Sequence, residues 1–363
     1  MDRIIVARRG FRKQSGLPPT AATGMLGTVL CLKRNARSAM NDAPRIHASL
    51  RRWLTAAAKA AIVLLVLWFI RGRIVEWWGQ LDQHRFHLHY GWLALSGGLY
   101  LAGTLLCALF WHHTLRALGQ EVGLGLALRA FFVGHLGKYV PGKAMVVILR
   151  AGLIRGPGVE ASLAVVSIFF ETLTMMSVGA FLAGAVVAGW ARQQPFWLAA
   201  SVGMMVLSGL PTLPPVAKRL ARFLTAGRLS PTANEKLDKL GYRTVAIGWM
   251  LNVVGWALLG LSLWATLRAM GAGNEALLGQ LHLLTAAIAL GTVVGFVSFV
   301  PGGAVVREAV LAETLTLLVP QIGGVPALVA SVLLRLAWLL SELAISGMLY
   351  LIPRLVATGG RAR

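Results

Sequence analysis

The chain has 363 residues, 57% of them hydrophobic and 13% charged, with a mean hydropathy of +0.70. Soluble domains carry about 25% charged residues, so the composition excludes a soluble enzyme or a freely diffusing binding module and indicates a polytopic membrane protein. The 35 Lys+Arg against 13 Asp+Glu leave a net charge of +22, which in a soluble chain would suggest nucleic acid. Here the basic residues flank long apolar runs, and no nucleic-acid partner is expected.

Residues 1–52 hold eleven basic residues against Asp2 and Asp42 and read as a basic, disordered leader. The stretch RRGFRK (8–13) is followed by an apolar run that Lys33 and Arg34 interrupt, too short for an export signal. Met40 is an alternative start, because MNDAPRIHASLRRWL runs as a short basic tail directly into the first span. Cys31 and Cys107 are the two cysteines, one in the leader and one in a span, which supports neither a disulfide framework nor a zinc site.

A helix crosses a bilayer with about 20 mostly apolar residues. On that criterion spans are expected at 54–70, 91–111, 161–190, 196–213, 245–267 and 325–352. Two further apolar regions are interrupted: 124–154 by KYVPGK (138–143), and 277–319 by FVPGGAVVRE (299–308). The first is too short for two full crossings, which favours a re-entrant hairpin; the second is ambiguous. The most basic loop, 214–244, carries Lys218, Arg219, Arg222, Arg228, Lys236, Lys239 and Arg243. Loops rich in Lys and Arg stay in the cytoplasm, so this loop, the leader and the short basic tail at 354–363 are expected inside. The fold class expected is an all-α polytopic bundle of about six full spans plus two broken or re-entrant helix pairs, occupying residues 53–353.

Proline removes a backbone donor and glycine relaxes the chain, so Pro141-Gly142 and Pro301-Gly302-Gly303 should each break a helix. In hydrocarbon such breaks are tolerated only where buried in protein or lining a wet cavity. The two elements also look like a repeat: Val140-Pro141-Gly142 with Arg150 downstream, and Val300-Pro301-Gly302 with Arg307 downstream. With the first opening inward and the second outward, they form an inverted repeat whose broken helices meet around a substrate site.

Charged residues within spans cost at least about 2.5 to 3.5 kcal/mol each and usually pair or face a polar cavity. The basic set is Lys138, Lys143, Arg150, Arg307 and Arg335; the acidic set is Glu171, Glu308, Glu313 and Glu342. New helix N-termini after Gly142 and Gly303 would present free N–H groups to a phosphate or carboxylate. Snorkelling to headgroups competes with this reading for Lys138 and Lys143, and a structural ion pair competes for Glu171 and Arg335. His84, His87 and His89 beside Asp82 read as a wet interfacial loop rather than a metal site, Gly291 and Gly295 as a helix-packing step. No cofactor or metal is expected, and no nucleotide loop, zincin helix or nucleophile elbow occurs.

GKYVPGKAMVVILR (137–150) and SFVPGGAVVREAV (298–310) together resemble the signatures of the flippase-like family typified by the transmembrane half of lysylphosphatidylglycerol synthase. The resemblance covers roughly residues 54–352. It matches Lys138, Tyr139, Pro141, Gly142, Lys143 and Arg150 to the first motif and Pro301, Gly302, Gly303, Arg307 and Glu308 to the second; Glu171 falls where the family has an acidic residue. Thr172 stands where an Arg often follows, and Ala304-Val305 replaces a more glycine-rich spacing.

The resemblance implies an integral protein of a bacterial inner membrane that moves a lipid or lipid-linked anionic molecule between leaflets, with both termini cytoplasmic. The soluble aminoacyl-transferase domain of the full synthase is not expected, since the chain ends shortly after its last span. On this reading Lys143, Arg150, Arg307 and Arg335 hold the headgroup phosphate, while Glu171 and Glu308 orient or release those cations. The expected partners are a membrane phospholipid or lipid-linked substrate and enzymes of lipid biosynthesis. The alternatives are a membrane-embedded lipid-modifying enzyme and an accessory subunit of an envelope-lipid pathway.

Overall fold

Apolar segments of this length can satisfy their backbone only within themselves, and the described ones do so as helix. The computed structural model describes residues 88–139, 144–225, 229–298, 300, 303 and 305–351. Among them are eleven α-helices and no strand: α1 Tyr90–Ala117, α2 Leu124–His135, α3 Ala144–Leu153, α4 Ala161–Trp190, α5 Pro195–Gly209, α6 Pro214–Leu224, α7 Pro231–Asp238, α8 Tyr242–Ala269, α9 Leu281–Val297, α10 Val306–Leu318 and α11 Gly324–Leu351. The leader, the span expected at 54–70 and the basic tail lie outside the described residues.

Six helical stretches are long and apolar enough to cross a membrane: Tyr90–Ala117, Ala161–Trp190, Pro195–Thr212, Tyr242–Ala269, Glu275–Val297 and Gly324–Leu351. Five coincide with expected spans. The sixth departs from the picture of two similar hairpins. The first interrupted region is built from α2 (12 residues) and α3 (10 residues); at 1.5 Å per residue neither reaches across a core of about 30 Å. In the second, a 3-10 turn at Glu275–Gln280 extends α9 to 23 residues, enough to cross, while the 13-residue α10 is too short. The extra turn is capped by Asn274, whose side chain accepts from the Leu277 N–H.

The described helices fall into two similar triplets. Each has a long helix, a broken pair and a second long helix: α1, α2/α3, α4, then α8, α9/α10, α11. The leading helices α1 and α8 are both 28 residues long and run antiparallel. His89 N–H donates to Ala269 O at 2.8 Å, where the start of α1 meets the end of α8. Further along, Ser96 Oγ lies 2.8 Å from Ser262 Oγ and 2.9 Å from Thr266 Oγ1, and Cys107 Sγ lies 3.5 Å from Asn252 Oδ1.

The two helices cross at Gly103 and Gly255, each the fourteenth residue of its helix. A Cβ on Gly103 would lie 3.0 Å from Gly255 O, and one on Gly255 would lie 3.3 Å from Gly103 O. Small residues at such a crossing let the backbones approach closely. The surrounding contacts repeat: α2 packs on α1 and α11, and correspondingly α9 packs on α8 and α4. The triplets are therefore an inverted repeat, related by exchange of two antiparallel helices.

Helices α5 to α7 join the triplets. Little of α5 is buried, as expected of a span facing lipid on most sides. In α6, Ala217 and Ala221 face the protein, Val216 and Phe223 are exposed, and Lys218, Arg219 and Arg222 occupy the remaining face. That three-way division suits a helix lying in the membrane interface. Arg222 Nη2 pairs with Asp238 Oδ1 at 2.8 Å, and Lys236 with Glu160 at 3.0 Å, which fastens α6 to α7 and α7 to the start of α4.

Replacing Gly103 with Leu would overpack the crossing. We expect Gly103→Leu to destabilise the protein by about 1 to 3 kcal/mol, read as a lowered thermal unfolding temperature in detergent, whereas Gly98→Leu, at a position with no atom near its Cβ, should leave it unchanged.

Candidate functional site

The first break places its polar residues through short local structure. α2 gives way to a 3-10 turn at Leu136–Tyr139, which carries Lys138 and Tyr139, and the chain resumes as α3, which carries Arg150. The second break ends α9 at Val297 and restarts as α10, whose first turn carries Arg307 and Glu308. Gly303 has φ +65° and packs on Gly295, a conformation that L side chains rarely adopt. Gly291 and Gly295 seat α10 against α9: a Cβ on Gly295 would be 2.9 Å from Arg307 Cβ. The helix-packing step read from the sequence thus sets the position of Arg307. Pro141, Gly142, Lys143, Pro301 and Gly302 lie outside the described residues.

Each repeat forms an ion pair between its second short helix and its following long helix. In the first, Arg150 Nη1 (α3) donates to Glu171 Oε2 (α4) at 2.8 Å, with both side chains 3% exposed. In the second, Arg335 (α11) donates to Glu308 (α10). The polarity is reversed, since the cation sits on the short helix in one repeat and on the long helix in the other. Glu171 and Arg335 each sit in an ion pair. Thr172 Oγ1 also donates to Glu171 at 3.3 Å.

A second set of contacts joins the repeats. Lys138 Nζ lies 2.5 Å from Glu342 Oε1 on α11, and Tyr100 OH on α1 donates to the same oxygen. His135 links this group to the first ion pair: Arg150 Nη2 is 3.3 Å from Nδ1, and Nε2 is 3.4 Å from Tyr100 OH. A guanidinium only donates, so Nδ1 accepts and the proton sits on Nε2. The donors then run in one direction, from Arg150 through His135 and Tyr100 to Glu342, where Lys138 donates from the other side. Arg150 also lies 3.9 Å from the Phe131 ring centroid.

Trp338 connects the second break to this network. It stacks on Tyr100 with ring centroids 4.3 Å apart, its Nε1 donates to Ser262 Oγ at 2.8 Å, and the Arg307 guanidinium lies 4.4 Å from its ring centroid. Arg335, Trp338 and Glu342 are spaced i, i+3, i+7 and so share one face of α11. Of the four basic site residues described, Lys138, Arg150 and Arg335 have carboxylate partners. Arg307 has none among the described residues; its partner is the Trp338 ring.

Tyr100, His135, Trp338 and Glu342 are central here and were not among the site residues read from the motifs. Glu342 carried a signal as an acid inside a span, and His135 as a titratable residue three positions before Lys138. For Tyr100 and Trp338 no sequence pattern distinguishes a site residue from a packed aromatic.

Two stability changes are expected. Arg150→Met leaves Glu171 buried without a counter-charge and should cost about 3 to 5 kcal/mol, most of it recovered in Arg150→Met/Glu171→Leu; chemical unfolding in detergent of the single and double variants measures this. Val305, the residue before α10, has φ +68°, a conformation costly for a β-branched side chain. Val305→Gly should therefore raise stability by about 1 kcal/mol, seen as a higher unfolding temperature.

Among curated proteins none matches the chain. A family model described as the lysylphosphatidylglycerol synthase TM region matches residues 56–345, a span that contains both breaks and every residue of the network above. The protein is therefore an integral membrane protein that belongs to the lysylphosphatidylglycerol synthase transmembrane-region family.

Proposed function

We propose that this protein translocates a lipid or lipid-linked anionic molecule between the leaflets of a bacterial inner membrane, with both termini in the cytoplasm, and that it performs no chemistry on its cargo. The observation that carries the reading is the meeting of two helix breaks, one from each inverted repeat, on one buried polar network in which Arg307 lacks a counter-ion among the described residues. A cation held over an aromatic ring in an apolar setting attracts a headgroup phosphate, while acyl chains stay in the bilayer. The inverted repeat supplies the two related arrangements that alternating access needs.

On this reading the basic residues divide the work. Arg150 and Arg335 are held by Glu171 and Glu308 and fix the short helices in place. Arg307, with Lys143 from the first motif, takes the phosphate. Enzymes of lipid biosynthesis are proposed as partners supplying or consuming the cargo. The relay through His135, Tyr100 and Glu342 favours a second reading, a lipid-modifying enzyme, in which Glu342 would accept a proton from the cargo.

Purified protein in liposomes containing headgroup-labelled anionic lipid tests both. Translocation predicts loss of protection of inner-leaflet label against a membrane-impermeant quencher, with no new lipid species by mass spectrometry. Arg307→Gln should slow it about tenfold or more, the loss expected for one charge-assisted hydrogen bond, while Arg307→Lys retains part of the rate. Unchanged protection with anionic and lipid-linked probes would count against transport, and a chemically altered lipid would favour the enzyme.

A further inference from the structure

The inverted repeat makes two contacts between repeats equivalent, and their chemistry differs. In one, α9 of the second repeat packs on α4 of the first. This contact is apolar: Val178 and Ala183 share one core cluster with Leu284, Ala287 and Ile288, and among the described residues no side-chain hydrogen bond or ion pair joins α9 to α4. In the other, α2 and its 3-10 turn pack on α11. This contact is polar: Lys138 Nζ is 2.5 Å from Glu342 Oε1, Tyr100 donates to the same oxygen, and Ser346 Oγ donates to Phe132 O at 3.0 Å.

The distinction has mechanical consequences. Apolar contacts are non-directional and are exchanged gradually as surfaces move. An ion pair with one partner buried is strong while intact and costly when one partner is left alone, so it behaves as a two-state element. Glu342 is 2% exposed, and its Oε2 is buried without a hydrogen-bond partner. The Lys138 side chain is 25% exposed. Of the two partners, Lys138 rather than Glu342 is therefore the one open to an incoming anion. Once Lys138 leaves, Glu342 keeps Tyr100 and the nearby His135, 3.7 Å away.

We propose that the Lys138–Glu342 pair is a latch between the repeats, and that the anionic headgroup of a lipid opens it by drawing Lys138 away from Glu342. Glu342 thereby acts as a gating residue, holding the α2–α11 side closed until cargo arrives. The proposal deepens the translocation reading and rests on it for the identity of the opener. The existence of the latch is measured without any transport assay.

Amide hydrogen exchange of the segment Leu136–Tyr139, followed by mass spectrometry in nanodiscs, tests it. In phosphatidylcholine nanodiscs, Glu342→Gln should raise exchange in this segment about tenfold relative to wild type. The charge-reversed pair Lys138→Glu/Glu342→Lys should restore protection, which also controls for misfolding of the single variant. Phosphatidylglycerol nanodiscs should raise wild-type exchange toward the Glu342→Gln level and leave Glu342→Gln unchanged. Equal exchange in wild type and Glu342→Gln overturns the latch, as does a charge-reversed pair as exposed as the single variant. Opening of the wild type by inorganic phosphate in phosphatidylcholine nanodiscs overturns the lipid headgroup as opener. Lipid-dependent opening without translocation in liposomes would leave the latch standing and remove the transport reading.

Discussion

The close antiparallel crossing of α1 and α8 is the constraint from which the rest of the arrangement follows. Two 28-residue helices meet at paired glycines with no room for a side chain, and a ladder of hydroxyls on one side and a cysteine–asparagine contact on the other fix the register. Once the leading helices of the two repeats are antiparallel, everything attached to them is inverted. The first helix of each broken pair is delivered against the final long helix of the other repeat. The two breaks, about 160 positions apart in sequence, can then reach a common network.

Within that frame, electrostatics decides which residues are structural. Removing a charge from water is costly unless a counter-charge is near, and at the site the described residues include the pairs Arg150–Glu171, Lys138–Glu342 and Arg335–Glu308. The first and third lie within one repeat, and the second joins the two. Arg307 is treated differently. It rests on Trp338, whose orientation is held by Ser262 and Tyr100, so the aromatic that supports this cation is anchored to the α1–α8 crossing itself. Among the described residues this guanidinium is held by a ring rather than by a carboxylate.

The short helices carry the site. α2, α3 and α10 do not reach across the membrane, and α10 is seated along its length between α9 and α11. Strain is stored at the same place: Val305 adopts a positive φ directly before α10, where backbone irregularity serves to aim Arg307 and Glu308. Strained or irregular backbone of this kind collects where a site must be built or moved.

Much of this was legible in the chain alone, and for definite reasons. Composition and run length determine membrane helices because hydrocarbon tolerates little else, so the span at 161–190 was readable to the residue. Proline and glycine within apolar runs locate both breaks, and the recurrence of Val-Pro-Gly with a downstream Arg marks the repeat. The same reasoning left the second interrupted region ambiguous and was silent on the extra turn at Glu275–Gln280, whose asparagine cap is a local feature that run length does not register. It could name Glu171, Arg335 and Glu342 as costly charges but not their partners, because pairing depends on which helices meet. Tyr100, His135 and Trp338 became site residues only through tertiary contact: an aromatic in a span looks the same in sequence whether it faces lipid, packs in a core or carries a cation. The sequence by itself determined that the chain crosses membranes and breaks twice, because those properties follow from local solvation and backbone chemistry. Which charges pair with one another was decided by the antiparallel crossing that brings residues far apart in the chain within hydrogen-bonding distance.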